Sequence, residues 1–430
     1  MTQRPILTSS QRIRYVLYAI GVTVAVFAIA DGLLTSAEST GAIDITRSDD
    51  QVSTLVGDPW TLNGDRYALT PTAQDSMVPM GFMAQKPELG YRAFLVGGSF
   101  MRGVPHNGAG TIRFWLYREL RRRYPTSPIE VINAGATSQN SHRVREVAKH
   151  AVTYSPDAII IASCNNEGAL PPGEVQKRLQ RSGTFRLLKS FLRPEVTDSE
   201  RPIHTPQDAD IDAVRNAFRN NLTAMVNAAK ERDVTVFLST LPLNLRYDGN
   251  TPGRPISGRE HSDQVKWPPC VSRGYSLYEA KDYQGAIRAL STCDEVEALR
   301  WIGLSRYALG DFEKARAILR QYTELEPRNR CRPSFQQVIR DVAKAETVPL
   351  IDLEAAINNA SPNGLPGPEL FASYCHMTWQ GQAIVADTMM KALQATKAVP
   401  QSQPMEAPRE DRAKVFQSFS KEPAAKSYYF

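Results

Sequence analysis

The chain has 430 residues, 42% of them apolar and 22% charged, with a net charge of +6. That length allows two or three domains and at least one sizeable core, and a mean hydropathy of −0.35 excludes a polytopic membrane protein. Much of the basic excess sits in short runs such as Arg121-Arg122-Arg123 with no recognised binding motif beside them, so no nucleic acid is expected as a partner.

Residues 15–30 form a continuous, mostly apolar run, and Leu33-Leu34 extend it past Asp31. Arg4, Arg12 and Arg14 precede it, and no lysine or arginine follows until Arg47. The positive-inside bias puts residues 1–14 in the cytoplasm, makes 15–34 a single-pass transmembrane anchor in the inner (cytoplasmic) membrane, and leaves the bulk of the chain in the periplasm or extracytoplasmic space. The alternative is a cleaved signal peptide with Ala28-Ile29-Ala30 as its A-x-A site. Either reading exports the body of the protein. Residues 35–90 are polar and proline-containing with little periodicity, and read as a stalk and lead-in.

Short apolar runs then alternate with helical patterns. Strands are expected at 92–96 (RAFLV), 129–132 (IEVI), 158–162 (AIIIA), 235–239 and 349–352, and helices at 112–124, 141–154, 211–233 and 382–393. Strands alternating with helices imply a parallel sheet covered on both faces, and chemistry in such sheets gathers at the carboxyl ends of the strands.

Three stretches break the alternation. Residues 171–210 hold Lys177, Arg178, Arg181, Arg186, Lys189 and Arg193 among leucines and phenylalanines, a pattern that fits either a membrane surface or a helix with one face on the core. In 266–330, Lys281-Asp282-Tyr283-x-x-Ala286 recurs as Gly310-Asp311-Phe312-x-x-Ala315, with Trp301, Gly303 and Tyr307 ahead of the second copy and Pro327 at its end. Small and aromatic residues at these offsets let paired helices pack closely, as in tetratricopeptide repeats, and so short an array must lean on the main core. Residues 397–430 are rich in proline, serine and charge and read as a disordered tail; the terminal Tyr428-Tyr429-Phe430 is either a docking motif or a ragged end. The five cysteines are too few for a disulfide scaffold; one bridge among Cys270, Cys293 and Cys331 is expected in an oxidising compartment, and five reduced thiols otherwise.

Four short motifs carry chemistry. After the first strand comes Gly97-Gly98-Ser99-Phe100, where two glycines permit a tight turn and put Ser99 at a helix N-terminus, whose N–H groups favour negative charge. After the second comes Asn133-Ala134-Gly135-Ala136-Thr137, with a glycine able to offer its N–H to an oxyanion. After the third comes Cys164-Asn165-Asn166-Glu167, with an asparagine amide as a further donor. Before the closing helix comes Ser373-Tyr374-Cys375-His376, with an imidazole able to deprotonate Ser99. The six histidines do not cluster at ligand spacings, so neither metal nor cofactor is expected.

A Ser, a Gly, an Asn and a His in this order, at these strand ends, resemble the SGNH/GDSL hydrolase superfamily, here with GGSF at 97–100, INAGATSQNS at 132–141, CNNE at 164–167 and SYCHMTWQG at 373–381. The match is nearer to a bacterial subgroup in which the hydrolase is joined to tetratricopeptide-type helices, through Gln85-Lys86-Pro87, the Thr240-Leu241-Pro242-x-Asn244-Leu245-Arg246 stretch and Ser361-Pro362-Asn363-Gly364. The resemblance implies a flavodoxin-like α/β fold, a five-stranded parallel sheet of order 2-1-3-4-5, split into 91–265 and 331–396 around the helical insert. It implies Ser99 as nucleophile and oxyanion donor, Gly135 and Asn166 as the other oxyanion donors, and His376 as base. Two positions depart from the family. Ser373 stands where an Asp usually orients the base, giving a Ser–His dyad or impaired activity, and Cys164 stands where a Gly is usual, its side chain expected to crowd the oxyanion pocket.

The expected function is an extracytoplasmic serine acyl-ester hydrolase of the carbohydrate O-acetylesterase type, acting through an acyl-serine on an acylated envelope carbohydrate. The alternatives are an O-acetyltransferase on envelope polysaccharide and a catalytically weak subunit serving as scaffold in an envelope membrane complex. A protein partner would dock on the tetratricopeptide-like insert or the C-terminal tail.

Overall fold

The structure, a computed structural model, describes residues 9–39, 57–74, 76–168, 182–192, 208–248, 267–326, 330–406 and 410–420. The expected stalk over 40–56, much of the basic stretch and the terminal Tyr428-Tyr429-Phe430 lie outside the described residues. The chain divides into two units, Met1–Ser53 with Pro171–Arg201, and Thr54–Leu170 with Pro202–Phe430.

In the first unit a helix runs over Ser9–Ser39. Its 21-residue Leu17–Ala37 stretch contains an 18-residue window of mean hydropathy 2.0 and is long and apolar enough to cross a membrane; a signal sequence passes the same test. A second helix, Gly183–Leu192, covers the middle of the basic stretch. Asp31 accepts from the Ser182 hydroxyl at 2.7 Å and the Thr184 N–H at 2.9 Å, which places a carboxylate at that helix's N-terminus.

The second unit is built on a five-stranded parallel sheet. Its strands are β4 (Tyr91–Gly97), β5 (Ile129–Gly135), β6 (Ala158–Ala162), β7 (Thr235–Ser239) and β8 (Leu350–Ile351), in the spatial order β5-β4-β6-β7-β8. Counted along the chain this is 2-1-3-4-5, the flavodoxin-like order. Every residue of β4 and β6 is buried, as a parallel sheet covered on both faces requires. Helices Ile112–Arg123 and Trp379–Ala395 pack on one another, and Ser141–Ala151, Asp208–Lys230 and Pro333–Ala345 form a second packed set. The last strand is shorter than the sequence suggests, pairing only Leu350 with Leu238 and Ile351 with Ser239.

Two expectations need correction. The lead-in is not all stalk: β1 (Trp60–Asn63), β2 (Arg66–Leu69) and β3 (Phe82–Met83) form an antiparallel sheet. Trp60 meets Phe82, Phe94 and Tyr154 edge-on at 5.6–5.7 Å, which anchors this sheet to β4. The C-terminal stretch is not all disordered either. Helix Arg412–Phe419 stacks Phe416 on Trp379 and sets Phe419 against Phe114, with Arg412 paired to Asp387 and Arg118 to Glu410. Aromatics at 416 and 419, three apart, face one way on a helix, and this apolar edge is what the charged composition hid.

The insert is two helical hairpins, Pro269–Glu279 with Tyr283–Leu290, then Val296–Ala308 with Phe312–Leu325. A Cβ on Gly274 would strike the Leu290 side chain at 2.2 Å, and one on Gly303 would strike Leu319 at 2.6 Å. The two repeats therefore use the same glycine-to-leucine contact. Cys270 and Cys293 are disulfide-bonded across the first hairpin.

Candidate active site

β4 ends at Gly97, Gly98 caps one helical turn, Ser99–Arg102, and Gly103 ends it with φ +97°. Only glycine fits at two of the positions around this turn. A Cβ on Gly97 would lie 2.3 Å from the Ala162 carbonyl oxygen, and one on Gly135 would lie 2.3 Å from the Arg102 nitrogen. The turn thus sinks between the ends of β5 and β6 and leaves Ser99 8% exposed at the rim of the sheet. Gln382, on the closing helix, holds the segment after the turn: its amide donates to the Gly103 carbonyl at 2.9 Å and accepts from the Ile112 N–H at 3.0 Å.

His376 reaches the same point from the far end of the chain. Its loop is a closed turn in which Ala372 and Ser373 N–H groups donate to the His376 carbonyl at 2.8 and 3.3 Å, and Phe371 bridges Met377. The helix after it is capped by Thr378, which accepts from the Gly381 N–H. The imidazole Nε2 lies 2.8 Å from Ser99 Oγ, and Nδ1 lies 3.1 Å from Ser373 Oγ. Two groups 277 residues apart in sequence meet at hydrogen-bond distance.

The other motif residues are placed as follows. Asn166, with φ +68°, turns its amide toward Gly98: Nδ2 is 3.7 Å from where a Gly98 Cβ would be and donates to the Gln139 carbonyl at 3.2 Å. An amide nitrogen has two hydrogens, so one stays available. Gly135 does not offer its N–H to this space. That group donates to Asn133 Oδ1 at 2.9 Å, and the glycine serves the close approach of the Ser99 turn instead. The expected crowding by Cys164 is also absent, because its sulfur is bonded to Cys331 and the residue is 1% exposed. The expected bridge among Cys270, Cys293 and Cys331 is Cys270–Cys293; a second, unexpected bridge joins Cys331 to Cys164, and Cys375 is buried outside both disulfides.

Several supporting residues have no role in the sequence reading. Asn244 donates to the Ser373 carbonyl at 2.9 Å and so fixes the histidine turn from β7's side. Asn165 accepts the Cys331 N–H at 2.8 Å. Glu167 accepts from the Ser141 N–H at 2.6 Å and its hydroxyl at 2.9 Å, at the start of helix Ser141–Ala151, and burial pushes its carboxyl up to about 8 against the pull of those two bonds. Asn244 lies in the Thr240–Arg246 stretch and Asn165 and Glu167 in the CNNE motif, which was the available signal for position; the partners of all three come from other elements.

The tetratricopeptide repeat family matches residues 297–329, inside the expected insert. No curated protein matches the chain. Among solved structures it is similar to a lipase/acylhydrolase from Enterococcus faecalis, at 13% identity and a TM-score of 0.36 over 73% of this chain and 99% of that one. It is similar also to a catalytic mutant of an acetylxylan esterase from Geobacillus stearothermophilus, at 12% and 0.36 over 72% and 96%. A third is an α/β hydrolase from the metagenome of Lake Arreo, Spain, at 13% and 0.37 over 71% and 95%. The sheet order, not these likenesses, defines the fold.

Proposed function

We propose that the protein is an extracytoplasmic serine acyl-ester hydrolase, held at a membrane by its N-terminal helix and acting on small acyl esters of envelope carbohydrate. One observation carries the reading: Ser99 Oγ, at the carboxyl end of β4, lies 2.8 Å from His376 Nε2. That is the distance at which a base can take a hydroxyl proton. In the proposed cycle His376 accepts the Ser99 proton as Oγ bonds to the acyl carbon. The carbonyl pair moves onto oxygen, and the Ser99 N–H, at a helix start without an intrahelical partner, and the second Asn166 Nδ2 hydrogen receive that charge. His376 then returns the proton to the departing alkoxide, and water repeats the sequence on the acyl-serine. Loss of one such oxyanion donor costs about 3 kcal/mol of transition-state stabilisation. Two disulfides suit an oxidising compartment, as export through the N-terminal helix requires.

If a sugar hydroxyl replaces water in the last step, the same chemistry is O-acetyl transfer. The scaffold reading is favoured by one observation, a hydroxyl in place of a carboxylate beside Nδ1. A fluorophosphonate probe decides between chemistry and scaffold. We expect covalent labelling of the folded full-length protein that disappears in Ser99→Ala; an unlabelled wild-type protein with an intact fold favours the scaffold.

A further inference from the structure

A carboxylate beside a catalytic histidine has two oxygens, one for the backbone of its turn and one for the ring. Ser373 has a single oxygen for both tasks. Three groups surround it: the His376 N–H at 3.1 Å, the Cys375 N–H at 3.4 Å and His376 Nδ1 at 3.1 Å. A hydroxyl carries two lone pairs and one hydrogen. Backbone N–H groups can only donate, so they occupy the two lone pairs. What remains for Nδ1 is the hydroxyl hydrogen, and Nδ1 must accept it. Swinging the hydroxyl away would give up both of these backbone N–H bonds at once, while Asn244 and the paired Ala372 and Ser373 N–H groups hold the backbone of the turn in place.

We infer that Ser373 holds neutral His376 in the tautomer with its hydrogen on Nε2, so that the imidazole donates to Ser99 Oγ in the resting protein instead of accepting from it. Ser373 is thus a positioning residue that restrains the base. For Ser99 to attack, its proton must pass to a lone pair on Nε2 while the Oγ–carbon bond forms and the carbonyl pair moves to oxygen. The ring has that lone pair only in the other tautomer, whose Nδ1–H faces an oxygen with both lone pairs taken. In serine triads, holding the base in the wrong tautomer lowers turnover by about 10⁴. The tautomer follows from hydrogen-bond counting alone; its consequence for rate rests on the hydrolase reading above.

The test is a long-range proton–nitrogen correlation spectrum of full-length protein labelled with ¹⁵N-histidine. It is recorded above the imidazole's own titration, and His376 is assigned from the signals lost in His376→Gln. The expected wild-type spectrum has an unprotonated Nδ1 and a protonated Nε2. In Ser373→Asp the second carboxylate oxygen accepts from Nδ1, so the pattern reverses, and kcat toward an aryl acetate rises at least about ten-fold with KM little changed. A protonated Nδ1 in the wild-type protein overturns the inference, and this arm needs no variant to fold. An Asp variant that folds but keeps the wild-type pattern overturns it as well. If the tautomers reverse as expected while neither protein reacts with ester or fluorophosphonate, the inference stands and the hydrolase reading fails.

Discussion

Glu167 follows the proposed oxyanion donor directly and is buried, bonded to the N–H and hydroxyl of Ser141 at the start of the preceding helix. Its carboxyl has an ordinary value of 4.5 and is pushed up to about 8 by burial. Between those values the unfolded chain has released the proton and the folded chain keeps it. The folded state therefore binds more protons, and stability from this group is fully present below about 4.5 and is lost as pH rises toward about 8. Gln at this position keeps the shape, can accept from the Ser141 N–H and does not ionise. We predict that Glu167→Gln gains stability relative to wild type between about pH 5 and pH 8, by one to a few kcal/mol on the order set by the shift. Urea denaturation at both pH values checks this; a gap that stays constant across them counts against it. At this scale the sequence marked Ser99, Asn166 and His376, because each sits just past an apolar run or ahead of a helix. It placed Glu167 and Asn244 in its motifs but assigned them no role, because their partners, Ser141 and the Ser373 carbonyl, come from other elements.

Arg92 stands within β4 at 1% exposure and joins four elements. Its guanidinium pairs with Glu130 on β5 at 2.7 Å, donates to the Tyr154 carbonyl at 2.7 Å and to the Met83 carbonyl of β3 at 2.7 Å, and lies over the Phe82 ring. Removing one partner of a buried ion pair leaves the other uncompensated, so Arg92→Met is expected to cost about 3–5 kcal/mol and loosen the lead-in sheet first. Equilibrium unfolding measures the loss, and hydrogen exchange over 60–83 locates it; a change within about 0.5 kcal/mol contradicts this account. The strands and helices of the parallel sheet were legible because their apolar runs are long and strongly patterned. The lead-in hairpin was not, although Asn63-Gly64 is a hairpin signal and Gly64 takes φ +63°. Its strands have four residues each and one outward-facing side, too short for alternation to stand out.

At the scale of the molecule, an order of polar residues along the chain becomes one constellation because the 2-1-3-4-5 sheet brings successive strand ends together. That much follows from topology, and a reading of motif order can anticipate it. The contacts that steady the constellation are non-local, so their pairing is not read from local sequence: Cys164 bonds Cys331, the first residue after the insert, and Asn244 holds the histidine turn. The tetratricopeptide hairpins are thus covalently tied to the strand end that carries Asn166. The central claim is that Ser99 itself takes the acyl group. The most direct measurement mixes full-length protein with an aryl acetate, quenches in acid and maps the acetyl group by peptide mass spectrometry. The account predicts acetyl on Ser99, absent in His376→Ala. Ester turnover with Ser99 never acetylated, or acetyl appearing equally in the His376 variant, would contradict it.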